Sequence, residues 1–129
     1  MFDRIETLKM AESLIAHGTK RQKLIATNVA NADTPGFLAM DLASFGASYQ
    51  SAPQIAMRTT RANHLAGTNW GMGAPRRIST EGEPAPNGNT VSLEDEVFRI
   101  ADARREFDLA VSITKSTYSL MRTSIGRKY

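Results

Sequence analysis

Apolar and small side chains recur through the first part of the chain at Ile5, Leu8, Ala11, Ile15, Gly18, Gln22, Ile25 and Val29, with Gln22 the polar member. The steps are three and four residues after one early exception, the spacing of a narrow helical seam. This predicts a helix from about Asp3 to about Asn31, with Asp3 as its cap and Glu6 three residues on, as in a capping box. Gly18 and Gln22 weaken the middle of that seam. A second seam runs through Val97, Ile100, Arg104, Phe107, Val111, Thr114, Tyr118, Met121 and Ile125. Its steps alternate three and four without a break. Ser92 is its expected N-cap and Gly126 its stop.

The residues between these helices follow a different pattern. Residues 37–91 hold four of the five prolines and are rich in glycine. The stretches Trp70–Pro75 and Glu81–Asn89 break any helix, and short strands are expected at Gln54–Thr60 and Arg76–Thr80. The fold class is therefore mainly α: two long terminal helices form a coiled-coil hairpin around an irregular, partly β middle segment. Three parts follow, 1–36 as an N-terminal helix and turn, 37–91 as the irregular middle, and 92–129 as a C-terminal helix forming one structural unit with 1–36. Two seamed helices without a third layer leave apolar surface uncovered. Other copies of the same chain are the expected cover, through a head-to-tail contact that builds a ring or helix. Ile5, Leu8, Ile15, Ile25, Val29, Val97, Ile100, Phe107, Val111, Tyr118, Met121 and Ile125 are the candidate assembly seam.

Charge and composition exclude several alternatives. The net charge of +3 is spread evenly: residues 1–35 carry five basic and four acidic groups, 36–91 four and three, 92–129 seven and six. No basic face suited to nucleic acid results. Glu94, Asp95, Glu96, Asp102, Glu106 and Asp108 lie in the first half of the second helix, and Lys115, Arg122, Arg127 and Lys128 toward its end, an order that complements the helix dipole. There is no cysteine. His17 reads as a surface helix residue and His64 as a turn or packing residue, so no metal site, cofactor or catalytic set is expected. No Gly-x-Ser-x-Gly elbow or phosphate-binding loop is present. No apolar run long enough to span a membrane exists, and the N-terminus has no secretory h-region.

The first helix ends in Asn28-Val29-Ala30-Asn31-Ala32-Asp33-Thr34-Pro35-Gly36-Phe37. Pro35 fixes its own φ, and Gly36 suits the third position of a type II turn. Asn28 and Asn31 either end the helix locally or bind a neighbouring subunit's backbone. Phe37 reads as a local core residue. The stretch Asn28, Asn31, Thr34, Pro35, Gly36 and Phe37 resembles the Asn-x-x-Asn-x-x-Thr-Pro-Gly-aromatic signature of the flagellar axial proteins. Further along, Phe37–Asp41 with Phe45, Thr59 to His64-Leu65, Asn87–Glu96 and Tyr118–Ile125 resemble the FlgB family of proximal rod proteins. Leu38 and Met40 replace basic residues often found after that turn. Arg104–Ala110 departs from the stretch typical of the related FlgC family.

The resemblance implies a non-catalytic subunit of the flagellar basal body rod, polymerised through its terminal helices as drive shaft and export-channel wall. It implies partners in further copies of the chain, the rod proteins FlgC, FlgF and FlgG, the adaptor FliE, and MS-ring or export-gate proteins. It implies a periplasmic place in the basal body and passage through the flagellar type III system without a cleaved signal. The alternatives are a FlgC-type rod protein and a non-flagellar helical module that binds one different partner.

Overall fold

A computed structural model describes residues 2–50, 61, 75–80 and 82–126. The expected strand at Gln54–Thr60, the Thr59 to His64-Leu65 element and the Trp70 stretch lie outside the described residues. Five elements follow in order: helix α1 (Phe2–Ala30), strand β1 (Met40–Leu42), helix α2 (Phe45–Gln50), strand β2 (Arg77–Ser79) and helix α3 (Leu93–Ser124). Helix α1 already includes Phe2, so Asp3 lies inside its first turn and not at the cap. Ser92 does cap α3, its hydroxyl accepting the Asp95 N–H. At the far end Gly126 takes a φ of 84° just past the cap residue Ile125, the left-handed stop for which glycine is suited. No helix among the described residues is long and apolar enough to cross a membrane.

The two long helices pack antiparallel along their length. Asn28 meets Glu96, Arg21 meets Glu106, and Gly18 faces Ala103 and Phe107. At 1.5 Å per residue these helices are about 43 and 48 Å long. The buried line on α3 is Glu96, Ala103, Ala110 and Thr117, a strict heptad. It has the expected period but lies one residue before Val97, Arg104, Val111 and Tyr118. The physical reason is size. Ala103 and Ala110 let the helices approach at Gly18, where an added Cβ would stand 3.6 Å from the Phe107 Cβ. Larger side chains rotate to the flanks. Arg104 leaves the seam altogether and pairs with Asp108 on the surface at 3.2 Å. On α1 the expected phase holds at Ala11, Gly18 and Ile25, but Asn28 is buried where Val29 was expected.

A two-stranded antiparallel sheet packs on α1, with Met40 opposite Ser79, Asp41 opposite Ile78 and Leu42 opposite Arg77. Strand β2 falls within the expected Arg76–Thr80 stretch, whereas β1 and α2 were not expected. Helix α2 begins after Ser44, whose hydroxyl accepts the Ala47 N–H at 3.4 Å. Phe45 stacks edge-on to His17 with ring centroids 5.8 Å apart.

Gly18 therefore marks a close crossing that still has room for a methyl group. Gly18→Ala is expected to raise stability by about 0.5–1 kcal/mol through helix propensity. Ala103→Leu should lower it by about 1–3 kcal/mol through overpacking. Thermal unfolding followed by circular dichroism reads both.

Candidate assembly site

The chain leaves α1 through a type II turn built as its residue types demand. Gly36 has a φ of 71°, and the Phe37 N–H donates to the Thr34 carbonyl at 3.3 Å. Above it, Asn31 is tied locally: its amide donates to the Thr27 carbonyl at 2.8 Å and its Oδ1 accepts from the Thr34 hydroxyl at 3.2 Å. The last turn of a helix leaves carbonyls without partners. Here Asn31 and Ala32 serve those of Thr27, Asn28 and Val29, and Asn89, from the segment before α3, serves the turn that follows. Its buried amide lies within 3.0 Å of the Asn31 carbonyl, 2.7 Å of Ala32 and 2.9 Å of Thr34. Its Oδ1 accepts the Val91 N–H at 2.7 Å. The Gly36 N–H donates to the Asn87 carbonyl, and the Thr90 N–H to the Phe37 carbonyl, both at 3.0 Å. The motif turn and the start of α3 are thus one knitted unit, with Phe37 half-buried and Pro35 exposed.

A second polar cluster joins both helices to β1. Asn28, 1% exposed, donates from its amide to the Met40 carbonyl at 2.7 Å and to Glu96 Oε1 at 3.1 Å. Its Oδ1 accepts the Met40 N–H at 3.3 Å. In the single chain the amides of Asn28 and Asn31 are engaged with the chain's own groups. Glu96 is wholly buried and also accepts from Arg99. It is not one of the surface carboxylates that merely complement the dipole.

One helical turn or two below, Arg21 spans Asp41 and Glu106. Its Nη2 and Nε donate to the two Asp41 oxygens at 2.8 and 2.9 Å, and its Nη1 to Glu106 at 3.2 Å. Burial pushes the Asp41 carboxyl up, but Arg21 and the Leu42 N–H outweigh it and hold it below its ordinary value. The same pair holds Arg21 above its own ordinary value, the Asp41 hydrogen bonds outweighing burial. His17 is buried and not on the surface as expected. The Ala43 carbonyl lies 2.9 Å from its Nε2, and a carbonyl only accepts, so Nε2 carries the hydrogen. Its Nδ1 faces Glu106 Oε2 at 4.0 Å.

The seam residues divide into two sets. Ile25 is fully buried in the hairpin, and Leu8, Ile15, Phe107, Val111 and Met121 are half-buried. Ile5, Val29, Val97, Ile100, Tyr118 and Ile125 are exposed in the single chain, Val97 at 65% and Ile125 at 79%. Leu93, Phe98, Leu109 and Leu120 extend the exposed apolar surface of α3.

The turn is where the chain also matches known proteins. The family described as "Flagella basal body rod protein" matches residues 18–37, the last turns of α1 and the motif. A flagellar basal body rod protein FlgB from Agrobacterium fabrum is 32% identical over 111 residues, covering 83% of each chain. The chain belongs to the FlgB family of flagellar basal body rod proteins. FlgB of Escherichia coli K12 is 26% identical over 122 residues, covering 87% of this chain and 88% of its own. FlgB of Salmonella typhimurium is 25% identical over 126 residues, covering 90% and 91%. Membership of the FlgB family makes the chain a structural component of the basal body rod that assembles with other rod components. None of these relatives favours the FlgC-type reading or the non-flagellar module.

The residues that organise the site were only partly visible beforehand. In the sequence Asn89 belongs to the helix-breaking stretch Glu81–Asn89, and Glu96 to the carboxylates that complement the helix dipole; neither reading marks a buried group. The one local signal for Asn89 is its place beside Gly88, whose φ is 77°.

Replacing Asn89 removes its bonds to the Asn31, Ala32 and Thr34 carbonyls, the first and last of which keep a backbone donor. Asn89→Ala is expected to destabilise the chain by about 2–3 kcal/mol, with hydrogen exchange at residues 28–37 accelerating before that of mid-α3. The Asp41 carboxyl, lowered in the folded state, adds stability above its ordinary value of 3.8, and that stability is lost as pH falls through the lower folded value. Asp41→Asn should cost about 2 kcal/mol at neutral pH and flatten the acid limb of a stability–pH profile.

Proposed function

We propose that this rod subunit works at the proximal end of the rod, polymerising through its terminal helices to form the drive shaft and the wall of the export channel. The observation that carries this reading is the apolar row Val97, Ile100, Tyr118 and Ile125, still exposed after the hairpin has closed. Each is an apolar side chain on α3 flanking the buried line of Glu96, Ala103, Ala110 and Thr117. A row of this kind along one helix marks a protein–protein contact. Since α1 and α3 already cover one another, the row is free for a neighbouring subunit without any unfolding of the hairpin. The seam residues Phe107, Val111 and Met121 then serve both contacts, being half-buried at the border between them.

In this reading the partners are further copies of the chain, the rod proteins FlgC, FlgF and FlgG, the adaptor FliE, and MS-ring or export-gate proteins. The assembled subunit lies in the periplasm, having passed the flagellar type III system without cleavage, and it catalyses nothing. The turn motif supports the same role mechanically. Asn28, Asn31, Thr34, Pro35, Gly36 and Phe37 hold the end of α1 against the start of α3, so that torque on one helix is carried by both.

Ile100→Asp and Tyr118→Asp test the exposed row without opening the hairpin. Both variants are expected to keep the helical circular dichroism of the parent. Each should lower recovery of the chain in purified hook–basal bodies by at least about tenfold, as a charge buried in an apolar contact costs well over 1.4 kcal/mol. Normal rods and normal swimming in both variants would overturn the row's role.

A further inference from the structure

Beside the sheet, α1 forms one wall of an open groove of about 420 Å³. Lys20, Lys23 and Arg77 stand around it, and Leu24, Leu42 and Pro75 give it an apolar lining. Among the described residues no carboxylate lines it. Among the described residues none of the three cations has an ion-pair partner, in contrast to Arg21 one position along, which is engaged by Asp41 and Glu106. Such a groove suits a segment that brings both carboxylates and large apolar side chains.

The chain itself carries a segment of that composition. The first turns of α3 read Leu93-Glu94-Asp95-Glu96-Val97-Phe98. Leu93, Val97 and Phe98 are exposed, Phe98 at 72%. Glu94 and Asp95 are exposed as well and have no ion-pair partner among the described residues. We infer that this acidic, apolar first turn of α3 in one copy docks into the basic groove of a second copy.

Three features of the fold favour a second copy as occupant. The groove belongs to α1 and the sheet, whereas the acidic turn belongs to α3, so the two surfaces do not overlap. A contact between two different surfaces is heterologous and propagates from copy to copy. The charges are opposite, which sets orientation and rejects the reversed arrangement. The Asn28–Glu96 bond places the turn near residue 28 of α1, while the groove lies near residues 20–24, so docking staggers the next copy by roughly 9 Å along the helix axis at 1.5 Å per residue. A lateral contact with an axial stagger is what a helical assembly requires.

The inference rests on the assembly reading above and adds the pair of surfaces that guides it. Its test places a photo-crosslinking benzoylphenylalanine at Lys23 of the full chain in cells building flagella, followed by isolation of hook–basal bodies. The expected product joins two copies of this chain, with the adduct mapped to residues 92–99. Incorporation of the chain with an adduct to another rod protein, or with none, would overturn the inference while leaving the assembly reading intact. Absence of the unsubstituted chain from basal bodies would overturn the assembly reading and this inference with it. A charge-reversal pair gives the second arm. Lys20→Glu with Lys23→Glu should lower incorporation roughly tenfold, and adding Glu94→Lys with Asp95→Lys should restore it. Failure of the quadruple variant to recover, with its helical content unchanged, would count against the pairing.

Discussion

Glu96 carries its carboxylate into the helix–helix contact with no exposure to water, and it is tolerated there because Asn28 and Arg99 both donate to the same oxygen. A buried carboxylate without donors costs several kcal/mol. A slip of one residue between the helices would therefore break more than it shifts. Asn28 uses the rest of its amide on the Met40 backbone, so the same side chain that sets the helix register also docks the sheet. Register in turn decides rotation. With Glu96 turned inward, Ala103, Ala110 and Thr117 must follow on the same face, and Val97, Ile100 and Tyr118 are carried outward. The apolar row available for assembly thus follows from this polar contact together with the close packing of Gly18 on Ala103.

The second constraint is at the turn. A helix that ends and reverses direction leaves unpaired carbonyls, and a surface loop would hand them to water. Here Asn89 reaches across from the start of α3 to the carbonyls of Asn31, Ala32 and Thr34, the first and last of which also accept a backbone N–H. Gly36 and Gly88 lie close enough that a Cβ on Gly88 would meet the Gly36 backbone at 3.6 Å. The two loops are held together by backbone and amide groups more than by apolar burial. For a rod subunit this matters, because the end of the hairpin stays defined although few large side chains cover it.

Arg21, Asp41, Glu106 and His17 continue the polar thread down the hairpin. Small residues bring the backbones together, and charged groups fill the space left at the borders. The result is a slender molecule whose specificity is polar and whose remaining apolar surface faces outward. That division suits a FlgB-family rod component: polar contacts fix the shape of each copy, and apolar contacts remain for its neighbours.

Helix existence, length and period were all determined by local chemistry. Ser92 caps, Gly126 stops, and the type II turn at Pro35-Gly36 follows from two residues whose allowed φ values are known in advance. The flagellar family was legible in the same turn, because Pro35 and Gly36 are constrained by backbone geometry, although Asn28 and Gly36 are also held by distant partners. What only the tertiary structure decided was the rotation of α3, the burial of His17, Asn28 and Glu96, and the pairing of Met40–Leu42 with Arg77–Ser79. A seam one residue out of phase has the same period, and the meeting of Gly18 with Ala103, with the Asn28–Glu96 bond, makes the small-residue face the closer fit. Polar residues enter a core when a donor arrives from elsewhere in the chain, and no local pattern records that Glu96 will find Asn28.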